Sequence, residues 1–249
     1  MRFSPLPRFV IALLSVFFTL SLVAPLPFAI VMPGSAQNIF KTILSVENQK
    51  SYPATGRLDL MSVRVTNPNN WIIGPEILYS WLRSDEVVYP RAAIYPPGAT
   101  NESEEKAAEV DMTSSQSRAI GAAFSFLKAN PDFGVTENKL IEKNIAFDVK
   151  QTGGPSGGMI FAIGVIELLT PEDILKSRHI GGTGTITIDG TVGAIGGINE
   201  KIIAAHKAGA EIFLAPIGNQ SEITRPPKGL KVVIVATLSD AIAALDVEG

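Results

Sequence analysis

The sequence predicts a mixed α/β (α+β) domain carried behind a single N-terminal apolar helix. Three observations lead there. The C-terminal part alternates short apolar strands with helical stretches. An uncharged run of 24 residues extends from Phe9 to Met32. In a chain of 249 residues, 46% hydrophobic against 18% charged leaves enough apolar material to bury a sizeable core.

The elements follow in order. Phe9–Met32 is long enough for a transmembrane helix, since crossing the hydrocarbon core takes about 20 residues. Arg2 and Arg8 precede it and the next charge is Lys41, so the positive-inside bias places residues 1–8 in the cytoplasm and the rest outside. The alternative is a cleaved signal peptide with Gly34-Ser35-Ala36 as its small-residue site. Pro25 and Pro27 end or kink the helix. Residues 33–55 read as a linker and 56–249 as the folded domain. Gly56–Val65 alternates like a half-buried strand, and Glu76–Leu82 reads as a short helix. Asn101–Asp111 is acidic, a solvated helix or lid. Ser115–Lys128 puts Ile120, Ala123, Phe124 and Leu127 on one helical face. Ile145–Val149 is a strand, and Ser156–Leu169 a helix apolar on most sides. Thr183–Asp189 is a strand ending in the hairpin signal Asp189-Gly190. Asn199–Ala210 is helical, Ile212–Ala215 and Val232–Ala236 are buried strands, and Ser239–Leu245 is the last helix.

Composition narrows the chemistry. Twenty-one basic and 24 acidic residues give a net charge of −3, without the basic stripe that duplex binding uses, so no nucleic-acid partner is expected. The absence of cysteine removes disulfides, thiolate metal sites and cysteine nucleophiles. Only His179 and His206 are present, which argues against a multi-histidine metal site. No GxxxxGK[ST] or GxGxxG pattern occurs, so neither ATP nor a dinucleotide is expected, and no cofactor.

Two local patterns carry chemistry. In Gly153-Gly154-Pro155-Ser156-Gly157-Gly158, Pro155 suits a first helical turn and sets Ser156 beside a helix N-terminus. Unpaired N–H groups and the positive end of the macrodipole there stabilise charge on an attacked oxygen. By itself the pattern also fits a turn with a capping serine. In Asn199-Glu200-Lys201, a lysine in a first helical turn opposes the macrodipole, and burial would lower its pKa toward a general base. By itself it also fits an exposed helix lysine.

Four motifs in order, Pro155–Gly158, Thr183–Ile186, Ile195–Lys201 and Ala204–Gly209, lie within the 64 residues from Gly153 to Pro216. At this spacing they resemble the proteolytic domain of Lon, with Ser114–Lys128 and Asn130–Phe133 extending the likeness upstream. Pro33-Gly34, Tyr52–Leu60 and Tyr95–Gly98 resemble the membrane-anchored Lon-like proteases of bacteria. Those often carry a PDZ insertion, for which the 25 residues between Lys128 and Gly154 leave no room. The chain departs from Lon at Gly153, where an acidic residue is usual, and at Thr185, which replaces a glutamate.

The resemblance implies the Lon catalytic-domain fold, with Ser156 as nucleophile, Lys201 as base and Thr183 as the hydroxyl that orients the lysine. Backbone groups at Gly154, Pro155 and Gly157 are expected to line the oxyanion hole and the substrate backbone. His206, five residues beyond Lys201, is expected to be structural. The implied function is an ATP-independent, membrane-anchored serine endopeptidase acting on proteins or peptides outside the cytoplasm, with homo-oligomeric rings as an assembly expectation. The alternative is a catalytically silent envelope scaffold that keeps the fold.

Overall fold

The computed structural model describes residues 7–135, 140–149 and 154–247. The chain divides into two compact units: Met1–Met32 with Val65–Asn101, and Pro33–Arg64 with Glu102–Gly249.

The smaller unit contains α1 (Arg8–Val23), the first half of β1 (Phe28–Asn38), α3 (Gly74–Leu82), β4 (Val87–Pro90) and α4 (Arg91–Ile94). Strands β1 and β4 pair antiparallel, from Phe28 opposite Pro90 to Val31 opposite Val87. Ile30, Ile72 and Ile77 form a small core. The expected helix over residues 9–32 is corrected here. It stops at Val23, Ala24 is already extended, and Phe28 onward is strand, because Pro25 and Pro27 cannot continue the helix. Sixteen residues rise only about 24 Å against a hydrocarbon core of about 30 Å. Among the described residues no helix is long and apolar enough to cross a membrane.

The larger unit holds α2 (Ile39–Thr42), β2 (Leu44–Val46), β3 (Arg57–Val65), α5 (Asn101–Ala129), β5 (Ile145–Phe147), α6 (Gly158–Leu169) and β6 (His179–Gly182). After these come β7 (Thr185–Ile186), β8 (Val192–Gly193), α7 (Ile198–Lys207), β9 (Ile212–Pro216), β10 (Lys231–Val235) and α8 (Leu238–Val247). Its sheet runs β10-β9-β6-β3, with β1 beyond β3. The pairs β10–β9, β9–β6 and β6–β3 are all parallel. Two small antiparallel pairs, β2–β5 and β7–β8, stand apart from it.

Helix α6 is the centre of the main core. From Met159 to Ile166 every apolar side chain is shut off from solvent, and Leu58, Leu60, Ile120, Ala123, Leu175 and Leu214 pack in the same cluster. An apolar helix of this length has to be covered on all sides, and the surrounding layers do so. Residues 33–55, expected as a linker, supply Ile39, Ile43 and Leu44 to that same cluster. Apolar side chains in a short segment are enough to draw it into a core. The acidic run 101–111 and the helix 115–128 are one continuous 29-residue helix, α5. Where its first turns face solvent, charge is no obstacle to helix formation.

Candidate active site

The site lies at the C-terminal end of β6, the edge at which parallel sheets collect ligands. Strand β6 ends at Gly182, and the next residue, Thr183, is completely buried. Its amide N–H donates to the Leu214 carbonyl at 3.1 Å, so the backbone of β9 holds it in place. Ser156 sits in a single 3-10 turn, Pro155–Gly157, that opens directly into α6. The helix expected from Ser156 therefore begins two residues later. The reason is local: the fixed φ of Pro155 suits a first turn, and Gly154 enters it at φ +93°, a conformation open to glycine and strained for other residues.

Two hydrogen bonds tie this turn to the residues that follow β6. Gly184 N–H donates to the Ser156 carbonyl at 2.8 Å. The Thr183 hydroxyl donates to the same carbonyl at 3.0 Å. Two more come from α5: Gly154 N–H donates to the Ala108 carbonyl at 3.2 Å, and the Ser115 hydroxyl to the Pro155 carbonyl at 3.0 Å.

Lys201 arrives from α7. Gly197 caps that helix in the left-handed region, at φ +68°, and Lys201 is its fourth residue. Lys201 is 3% exposed. Its Nζ lies 2.8 Å from Ser156 Oγ and 3.2 Å from Thr183 Oγ1. Burial pushes the lysine pKa down from 10.5 to about 8, and the neighbouring Glu200 carboxylate opposes part of that fall. Glu200 is itself buried, and desolvation raises its pKa.

The structure thus brings Ser156, Lys201 and Thr183 into one hydrogen-bonded group. It redistributes the roles expected of the three flanking residues. Pro155 has no N–H, and the Gly154 N–H is committed to Ala108, so neither supplies an oxyanion donor. Gly157 is buried, and a Cβ there would sit 2.7 Å from Leu60 Cδ1, so it faces the core rather than a substrate backbone. Gly154 does face open space: nothing lies within 4 Å of where its Cβ would be. The Ser156 amide is left at the turn as the candidate oxyanion donor, because the 3-10 turn uses the N–H groups that follow it. Gly153 lies outside the described residues. Thr185 opens β7, clear of the hydrogen-bonded group, and His206 is exposed on the outer side of α7.

Two residues have roles that sequence reasoning missed. Asn219, 1% exposed, accepts the Ile195 N–H at 2.9 Å and donates to the Ile195 carbonyl at 2.8 Å. It thereby fixes the glycine-rich loop from which α7 starts. No spacing signal marks it. Glu167, 3% exposed, accepts the Ile174 N–H at 3.0 Å, and burial pushes its pKa up to about 7. Here a signal was available: it is the one ionisable residue in the apolar helix α6.

A serine hydroxyl against a buried, charge-disfavoured lysine, at the mouth of a parallel sheet, is the arrangement that pairing a nucleophile with a base requires. Comparison with known proteins gives the family. Residues 111–246 match the Lon protease (S16) C-terminal proteolytic domain, and the chain belongs to that family. It is 35% identical to the Lon protease of Mesomycoplasma hyopneumoniae (strain 232) over 122 residues, 48% of this chain and 14% of that protein. The Lon protease of Neorickettsia sennetsu is 27% identical over 208 residues, 80% of this chain and 24% of that protein. Lon protease 1 of Bacillus subtilis (strain 168) is 32% identical over 132 residues, 49% of this chain and 16% of that protein. The chain thus spans less than a quarter of the length of these relatives.

Proposed function

We propose that this protein is a serine endopeptidase in which Ser156 is the nucleophile and Lys201 the general base. The observation that carries the proposal is the 2.8 Å approach of Lys201 Nζ to Ser156 Oγ inside a buried site. Neutral Lys201 takes the Ser156 proton as Oγ bonds to the substrate carbonyl carbon. Thr183 has a defined part in this. By accepting one N–H of the amine and donating its own proton to the Ser156 carbonyl, it leaves the lysine lone pair facing Ser156. The oxyanion meets the Ser156 amide and the N-terminal end of α6. As the C–N bond breaks, the Lys201 ammonium passes its proton to the leaving amine. A water deprotonated by Lys201 then hydrolyses the ester and releases Ser156.

A mechanism-based acyl-trapping reagent followed by peptide mapping tests this. Label on Ser156, absent in Ser156→Ala, is the expected result. An unlabelled, folded wild-type chain points instead to the scaffold reading.

We further propose that the enzyme works without ATP and is held at a membrane by α1, with the proteolytic unit outside the cytoplasm. No phosphate-loop pattern occurs in these 249 residues, and steady peptide cleavage in nucleotide-free buffer is the check. Helix α1 buries none of its residues, and its aromatic and aliphatic side chains lie open. Cleavage at Gly34–Ala36 would remove Ala29, Ile30 and Val31, which are buried, and this supports retention of the helix.

A further inference from the structure

Beyond the small core of Ile30, Ile72 and Ile77, the smaller unit leaves a large apolar surface uncovered. On α3, Leu78, Trp81 and Leu82 are 56%, 69% and 86% exposed, and Trp71, just ahead of it, is 61% exposed. Such side chains are costly to keep in water as one patch. Helix α1 adds Phe9, Ile11, Leu14 and Val16, exposed on different sides of the same helix.

The two helices are built against one another. Gly74 opens α3 so near to α1 that a Cβ on it would lie 3.4 Å from the Ser21 carbonyl oxygen. Below this contact Leu26 N–H donates to the Ile72 carbonyl at 2.8 Å. Between the helices lies an apolar groove of about 460 Å³, lined by Phe17, Phe18, Leu22, Ile77, Leu78 and Trp81. Thr19 and Ser21 turn their hydroxyls back onto the Ser15 and Phe17 carbonyls, both at 2.9 Å. That is how hydroxyls are satisfied where water is absent.

Charge decides what covers this surface. The run from Phe9 to Met32 has no ionisable residue, and guanidinium groups border the apolar area. Arg8 stands at the start of α1, Arg83 follows α3 beside Asp85 and Glu86, and Arg91 lies 5.4 Å over the Trp71 ring. An apolar centre with Trp and Arg at its rim, the one carboxylate of α3, Glu76, being turned back to accept the Ile73 N–H at 2.9 Å, is complementary to acyl chains beneath a headgroup layer. A second protein would need one apolar face of α1, whereas this helix is apolar on every side.

We propose that α3, with Trp71 and Trp81, is a second membrane-contacting element. It enters the boundary between hydrocarbon and headgroups beside α1, and the groove between them seats a phospholipid acyl chain. The inference rests on the membrane reading given above.

Trp71 and Trp81 are the only two tryptophans in the chain, so intrinsic emission reads this surface alone. The full chain is reconstituted in phosphatidylcholine–phosphatidylglycerol vesicles, with and without acyl-chain bromination, and flotation is measured in parallel. Trp71→Phe and Trp81→Phe, at exposed positions that leave the core intact, separate the two signals. Blue-shifted emission from Trp81 and a roughly twofold loss in brominated vesicles are expected for a tryptophan at the interface. A chain that floats with vesicles while Trp81 stays unquenched and accessible to acrylamide overturns the inference and leaves the α1 anchor standing. A chain that does not float overturns both. Because the chain has no cysteine, Leu78→Cys gives a unique thiol. Disulfide-linked dimers of that variant, with Trp81 unquenched by bromolipid, would show that a second copy covers the face and would also refute the proposal.

Discussion

Peptidase activity should rise with pH through the Lys201 titration. With the amine lowered by burial to about 8, the neutral fraction is about 1% at pH 6, about 10% at pH 7 and about 90% at pH 9. If neutral lysine is the base, kcat/KM for a fluorogenic peptide should climb close to tenfold per pH unit below 8. It should then flatten above pH 9, for a total rise of roughly ninety-fold. Glu200→Gln supplies the perturbation. The Glu200 carboxylate holds the lysine pKa up, so its removal should move the limb to lower pH and raise the relative rate at pH 7. His206→Gln and His179→Gln should keep the limb in place, since His206 is exposed and the His179 Nε2 lies 2.8 Å from Asp59, in an ion pair with Arg57. Circular dichroism across the range confirms that each variant stays folded. A profile flat from pH 6 to 9, or a limb that disappears in either histidine variant, would refute the lysine assignment.

Three further outcomes follow from the buried polar groups. Lys201→Met should abolish turnover and yet be more stable than wild type at pH 7. A lysine pKa lowered from 10.5 to about 8 costs about 3 kcal/mol when charged, and wild-type stability should rise with pH between those values because the unfolded chain then binds more protons. Denaturant titrations at pH 7 and 10 measure it. Glu167 behaves in the opposite sense. Its folded pKa of about 7 lies above the ordinary 4.5, so the folded state holds the proton longer and stability should fall by about 3 kcal/mol as pH rises through that window. Glu167→Gln should flatten this in melting curves at pH 5 and 8. Asn219→Ala removes both bonds to Ile195 and should cost about 2–3 kcal/mol. In steady-state kinetics, kcat should fall more than KM rises, since the loop sets the lysine and not the substrate.

Periodicity and turn chemistry were legible in the sequence. Strand β3, the hairpin around Asp189-Gly190 and helices α3 and α7 appear within a few residues of where alternation and caps place them. Strand β6 was not legible, and the reason is steric. Its Gly181 and Gly182 lower β propensity, yet a Cβ on Gly182 would lie 2.7 Å from Ile160 Cδ1. Glycine is there because α6 packs directly on the strand. The pairing of Ser156 with Lys201 was legible only through the linked motifs, since 45 positions separate them and no local rule joins them. Asn219 carried no signal because its work is done on a backbone brought near by the fold.

Helix α5 makes the nucleophile's position a mechanical quantity. Ala108 and Ser115 stand two turns apart on this 29-residue helix, and through their two bonds to Gly154 and Pro155 the turn bearing Ser156 is clamped to a stiff rod. A slide of the rod by one residue is about 1.5 Å. That is enough to stretch a 2.8 Å contact with Lys201 past hydrogen-bond range. Load applied along α5 would therefore register at the reacting oxygen as a change of rate.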